Sequence, residues 1–161
     1  KHTVIRHSNI YGPYDKYDLE RSHVFGATVT KVMNAKDKIV VWGTGEEERD
    51  LLHVDDLVQF VDKSLEKQKR NYELFNCGLG KAVSILQLVE MMVRLSKKRI
   101  QIDHDLSQPT IKTSLFLDCG KAKQLLEWTP NVDLESGIQR TLRWYRENVM
   151  NAEVCERTKN V

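Results

Sequence analysis

The first side chain placed for chemistry is Asn9. It follows the β-branched run Thr3-Val4-Ile5 and precedes the pair Gly12-Pro13. The run favours a buried, pleated segment, and Gly-Pro ends it in a bend. Asn9 is therefore expected at or just past a strand's C-terminal end, which faces the ligand crevice in an open parallel sheet. A carboxamide there offers donors and an acceptor to a polar ligand. The same amide can instead close its own turn, and both readings stand at this point. His23 and Lys31 share one side of a helix predicted from His23 to about Ala35, opposite the apolar stripe of Phe25, Val29, Val32 and Met33. An imidazole titrates near neutral pH and can pass a proton. The alternative is a solvated face with no ligand.

The elements that would hold these residues alternate strand and helix. Ile39-Val40-Val41-Trp42 reads as a short buried strand ended by Gly43-Thr44-Gly45. Glu46 to Asp50 is acidic around Arg49, and Leu51-Leu52-His53-Val54 leads to a helix. Asp55 is its expected cap and Leu57, Val58, Val61 and Leu65 its stripe. Tyr72 to Cys77 is a strand followed by Gly78-Leu79-Gly80. That Gly-x-Gly lacks the third glycine of a dinucleotide fingerprint, so a turn requirement is the better reading. Ser84 to Gln87 forms a capping box before a helix with Ile85, Leu88, Val89, Met92 and Leu95 inward. Arg99 to Asp103 alternates as a strand, and residues 107–114 form a loop. Leu115 to Leu117 is a brief extended segment, and Asp118 is expected to cap a short helix carrying Ala122, Leu125 and Leu126. Asp133 caps the last helix, with Leu134, Ile138, Leu142, Tyr145 and Val149 on one face. Ser22 is the expected cap of the helix that begins at His23.

Composition narrows the class. The chain has 161 residues and a formal net charge of +2. Its basic residues alternate with acidic ones, which speaks against a nucleic-acid partner. No apolar run is long enough to span a bilayer, so no membrane partner is expected. No signal peptide is visible in a chain that begins at Lys1. Cys77, Cys119 and Cys155 show no metal-type spacing, and a reducing, cytoplasmic setting fits them. No metal site is expected.

Several linked motifs carry a resemblance. They are Arg6-x-x-Asn9-x-Tyr11-Gly12-Pro13, Val41-Trp42-Gly43-Thr44-Gly45, the run from Arg49-Asp50 to His53-Val54-Asp55-Asp56-Leu57, Asn76-x-Gly78, and Trp128-x-Pro130 with Gly137-Ile138 and Trp144-Tyr145. In order and spacing the chain resembles the extended short-chain dehydrogenase/reductases, the NAD-dependent nucleotide-sugar epimerases, dehydratases and reductases. It looks most like the GDP-L-fucose synthase group. The implied fold is α/β, the C-terminal part of a Rossmann-like extended fold with the small substrate-binding subdomain. Residues 1–150 would form that part, with the dinucleotide-binding half absent, and 151–161 a polar tail.

The resemblance also implies roles. Asn9 would line the substrate and cofactor crevice. His23 would be the general acid that protonates a sugar carbon. Trp42 and Arg49 would contact the nucleotide diphosphate, with Lys31 nearby. Asp55 and Asp56 are read as cap and scaffold. The implied cofactor is NAD or NADP, whose main binding motif is not in this chain, and the complete protein would be a homodimer. Ser114 and Leu115 stand where the fucose-synthase group carries a basic pair, the nearest cation being Lys112. A 4-epimerase, a 4,6-dehydratase or a catalytically silent assembly module are the alternatives.

Overall fold

In a computed structural model of the chain, residues 1–108, 110 and 113–151 are described. Among these residues, seven strands run in the order β1 (His2–His7), β2 (Asn9–Tyr11), β3 (Lys38–Trp42), β4 (Glu48–His53), β5 (Tyr72–Cys77), β6 (Ala82–Ser84) and β7 (Gln101–Asp105). Five helices join them: α1 (Val24–Asn34), α2 (Val54–Lys67), α3 (Ile85–Ser96), α4 (Gly120–Leu126) and α5 (Leu134–Tyr145). A wider helical turn, Arg146–Met150, extends α5. This is the α/β arrangement that the motif order predicts.

The strands form three small sheets. β1 pairs in parallel with β5, and β3 with β7. β2 pairs in parallel with β4, whose first residues pair antiparallel with β6. Parallel neighbours need long crossovers, and α2 lies on the connection between β4 and β5. Two apolar cores result. One joins α1, α3 and α5 to β3 and contains Val29, Val32, Met92 and Ile138. The other joins α2 and α4 to β1 and β5 around Phe60, Phe75, Leu126 and Trp128.

β4 lies between the two cores. Leu51 enters the first and Leu52 the second. A strand buried on both faces shows no alternation. That explains why the segment Leu51–Val54 reads in sequence as a lead-in to a helix rather than as a strand.

Several expectations change. In α2 the buried face is Asp56, Phe60 and Ser64, while Val58 and Leu65 are 56% and 77% exposed and Val61 is exposed too. Polar residues occupy the interior because they are satisfied there. Asp56 accepts from the backbone N–H of Asn131 (2.8 Å) and Val132 (3.1 Å). Ser64 Oγ donates to Val61 O at 2.8 Å. Counting apolar residues alone therefore set the helix at the wrong rotation. The α2 cap is His53, whose Nδ1 accepts from Asp55 N–H at 3.2 Å, not Asp55. α1 is entered through His23, and Ser22 makes no capping bond. Cys119 precedes α4, though Asp118 still accepts from Gly120 N–H at 2.8 Å. Leu125 is exposed, and Leu95 is only half-buried. β3 alternates, with Ile39 and Val41 inward and Val40 and Trp42 outward.

Other expectations hold. Ser84 and Gln87 form the capping box. Asp133 caps α5 by accepting from Ser136 N–H at 2.9 Å, and Ile138, Leu142 and Tyr145 are buried. Cys77 is buried, and burial pushes its thiol up to about 12, while Cys119 is half-buried. Pro109, Lys112, Cys155 and nearly all of the expected tail lie outside the described residues.

Candidate functional site

Two cavities border the start of α1. The first, of about 660 Å³, is lined by Ser8 and Asn9 after β1, by the turn Tyr11–Asp15, and by His23, Asp50 and Leu117. Its walls come from the place where β1 hands over to β2. Ser8 N–H still bonds to Cys77 O at 2.9 Å, so the chain leaves one sheet for the next at Asn9. Asn9 Nδ2 donates to Asp50 O at 3.2 Å, which fixes the carboxamide at the handover. Asn9 thus sits just past the end of β1, as its sequence position predicts.

The turn is braced from within. Tyr17 Oη donates to Gly12 O at 2.7 Å, and Asp15 N–H reaches the same carbonyl at 3.4 Å. Thr30 Oγ1 on α1 donates to Tyr17 O at 2.6 Å. Tyr11 is buried with its ring stacked on Phe25 at 4.1 Å and edge-on to His53 at 5.3 Å. His23 is exposed at the entrance to α1, and its imidazole makes no capping bond. Two polar atoms in the lining are buried without a partner, Ser8 Oγ and Asp15 Oδ2.

The second cavity, of about 400 Å³, is lined by Ser22, Lys31, Trp42, Glu47 and apolar residues of α1, β3 and α3. Lys31 Nζ lies 5.7 Å from the Trp42 ring centroid, a cation–π distance. Trp42 is 55% exposed, so it is no core residue. An exposed indole beside a cation is a stacking surface for a flat ring.

The roles that the resemblance implies would bring Asn9 and Trp42 to one bound nucleotide sugar. The structure places them in different sheets and different cavities. Asn9 and His23 share the first cavity, and Lys31 and Trp42 the second. Arg49 lines neither. Its Nη1 donates to Glu48 O and to Thr113 Oγ1, both at 2.8 Å. It stands on β4 between Glu47, which lines the second cavity, and Asp50, which lines the first.

Asp50 is the organising residue that motif reading passed over. It is buried, and its carboxylate accepts from three backbone N–H groups: Leu79 at 2.8 Å, Gly80 at 3.2 Å and Leu117 at 3.0 Å. Successive N–H groups of this kind form a nest for an anion. Here the anion is a side chain of the same chain, not a phosphate. A Cβ on Gly78 would lie 2.6 Å from Asp50 Oδ2, so the glycine admits the carboxylate. The sequence signal was present as an acid on one strand and a Gly-x-Gly after another, but nothing in sequence joins the two. No group of residues that could hold a metal ion occurs among the described residues, and none of their helices is long and apolar enough to cross a membrane.

Comparison with known proteins bears on this geometry. The family model described as the NAD dependent epimerase/dehydratase family matches residues 1–78. The chain is 34% identical over 150 residues to probable GDP-L-fucose synthase 1 of Oryza sativa subsp. japonica, covering 91% of this chain and 45% of that protein. It is 33% identical over 143 residues to dTDP-4-dehydro-6-deoxy-D-allose reductase of a Streptomyces species, covering 89% and 43%. The crystal structure of UDP-glucose 4-epimerase with UDP-glucose from Thermotoga maritima superposes with a TM-score of 0.78 at 29% identity, covering 91% of this chain and 46% of that one. The chain thus spans about half the length of the curated relatives it matches.

Proposed function

Since the chain belongs to the NAD-dependent epimerase/dehydratase family of extended short-chain dehydrogenase/reductases, we propose that it is the nucleotide-sugar-binding part of an NAD(P)-dependent sugar epimerase or reductase. The observation that carries this reading is the pair of cavities that border the start of α1. The first is polar on one wall, with Asn9 and His23, and suits a hexose. The second presents Trp42 and Lys31 and suits a base. Arg49 stands on the strand segment between them. Its Nη1 is engaged, so a diphosphate would meet Nε and Nη2, in the bidentate manner guanidinium favours.

Asn9 and the unpartnered Ser8 hydroxyl are the residues here that would meet a bound nicotinamide cofactor. When bound, NAD or NADP supplies hydride exchange with a sugar carbon. The protein's own part is proton movement. A carbon beside a keto group is acidic, and His23, in its charged form, would give a proton to the carbanion there and end neutral. The complete enzyme would work in the cytoplasm as a homodimer.

Calorimetric titration of the chain with UDP-glucose, GDP-mannose and dTDP-glucose tests the proposal. Saturable heat with at least one is expected. Trp42→Ala should weaken that binding by about 1–3 kcal/mol, the usual value of stacking on an aromatic ring. Because Trp42 is largely exposed, the variant should melt close to the parent. No heat with any of the three from a folded chain would retire the reading in favour of a silent assembly module.

A further inference from the structure

Asp15 is a half-buried acid with an unusual defect. Its Oδ1 accepts from Lys16 N–H at 2.7 Å, but its Oδ2 is shut off from water with no hydrogen-bond partner. A buried carboxylate oxygen left unpaired is costly, and such atoms tend to persist where another state uses them. The neighbour with the matching need is His23. Both residues line the first cavity, and the imidazole is close enough for its charge to act on the carboxyl. Yet no hydrogen bond or ion pair joins them in this structure. His23 is exposed and makes no cap, so its ring is free to turn, and exposed rotamers exchange in picoseconds to nanoseconds. Asp15 is not free to follow, because the braced turn holds it.

We infer that Asp15 is the positioning residue for His23: its Oδ2 accepts the N–H of one ring nitrogen when the imidazole turns inward, which leaves the other nitrogen directed at the cavity. Charged, a ring held this way carries at the cavity-facing nitrogen the proton to be given; once neutral, it is left as one tautomer, with its remaining N–H on Asp15. The inference rests on His23 acting as the acid proposed above, but its test requires no ligand, so failure of the one is distinguishable from failure of the other.

The charged groups that face the Asp15 carboxyl are His23 and Lys16, and burial raises its pKa above the usual carboxylate range. The imidazole's charge acts in the opposite direction. Carbon-13 titration of the Asp15 carboxyl by NMR reads this directly. In His23→Gln its midpoint should move up, because the charge that favours the ionised carboxyl is gone. In the parent, the His23 ring nitrogens should report one dominant tautomer, and Asp15→Asn should turn that into a mixture. Asp15→Asn should melt no lower than the parent, since it removes an unpaired buried charge. An unmoved midpoint in His23→Gln overturns the inference. So does an unchanged ring signature in Asp15→Asn, or a melting point several degrees lower, which would make Asp15 a structural residue.

Discussion

Replacing Gly137 with alanine tests how the turn beside the first cavity is held. Gly137 lies in α5, against the edge of the buried Tyr11 ring. A Cβ there would come within 2.0 Å of Tyr11 Oη, 2.8 Å of Cζ and 3.0 Å of Cε2. The ring has little room to retreat, being stacked on Phe25 and edge-on to His53. Alanine improves helix propensity by about 1 kcal/mol over glycine. Overpacking a core costs about 1–3 kcal/mol, and an overlap on three ring atoms belongs at the upper end, near 3 kcal/mol. The difference leaves Gly137→Ala destabilised by about 2 kcal/mol. For a chain of this length that lowers Tm by roughly 4–8 °C. Thermal and urea melts followed by circular dichroism measure it. Removing Tyr11 Oη relieves the shortest contact, so Gly137→Ala should cost about 1 kcal/mol less in a Tyr11→Phe background. A Gly137→Ala chain as stable as the parent, or an equal cost in both backgrounds, would refute the reasoning.

Two further outcomes follow from buried polar groups. Asp50→Asn replaces a carboxylate bound by three N–H groups with a group that can accept through only one oxygen and turns an NH₂ towards the others. The urea midpoint should fall by the equivalent of about 3 kcal/mol, and a loss below about 1 kcal/mol would reject the nest. His53 is buried and caps α2 through an unprotonated Nδ1, and burial holds its pKa below the ordinary 6.5. The unfolded chain therefore takes up this proton first. The stability it contributes is complete above about pH 6.5 and is lost as pH falls through the folded pKa, with a slope of at most about 1.4 kcal/mol per pH unit. Urea melts between about pH 5 and 8 should show that loss in the parent and not in His53→Gln, and matching slopes would remove His53 as the cause.

The sequence alone determined the elements whose signals are local. The Ser84 capping box, the Asp133 cap with its apolar stripe, and the strand-then-turn at Asn9 depend on residues a few positions apart, and each formed as the spacing predicts. The linked motifs carried the resemblance in the same way. Only the tertiary structure decided β4, because a strand covered on both faces loses its alternation. It also decided the rotation of α2, where Asp56 and Ser64 are inward because distant N–H groups and a nearby carbonyl satisfy them. Asp50 shows the same limit: its three partners lie on the Gly78–Gly80 turn and at Leu117, 29 or more positions away. A hydrogen bond across that distance leaves no period in the sequence, and neither does the separation of Asn9 and Trp42 into two cavities.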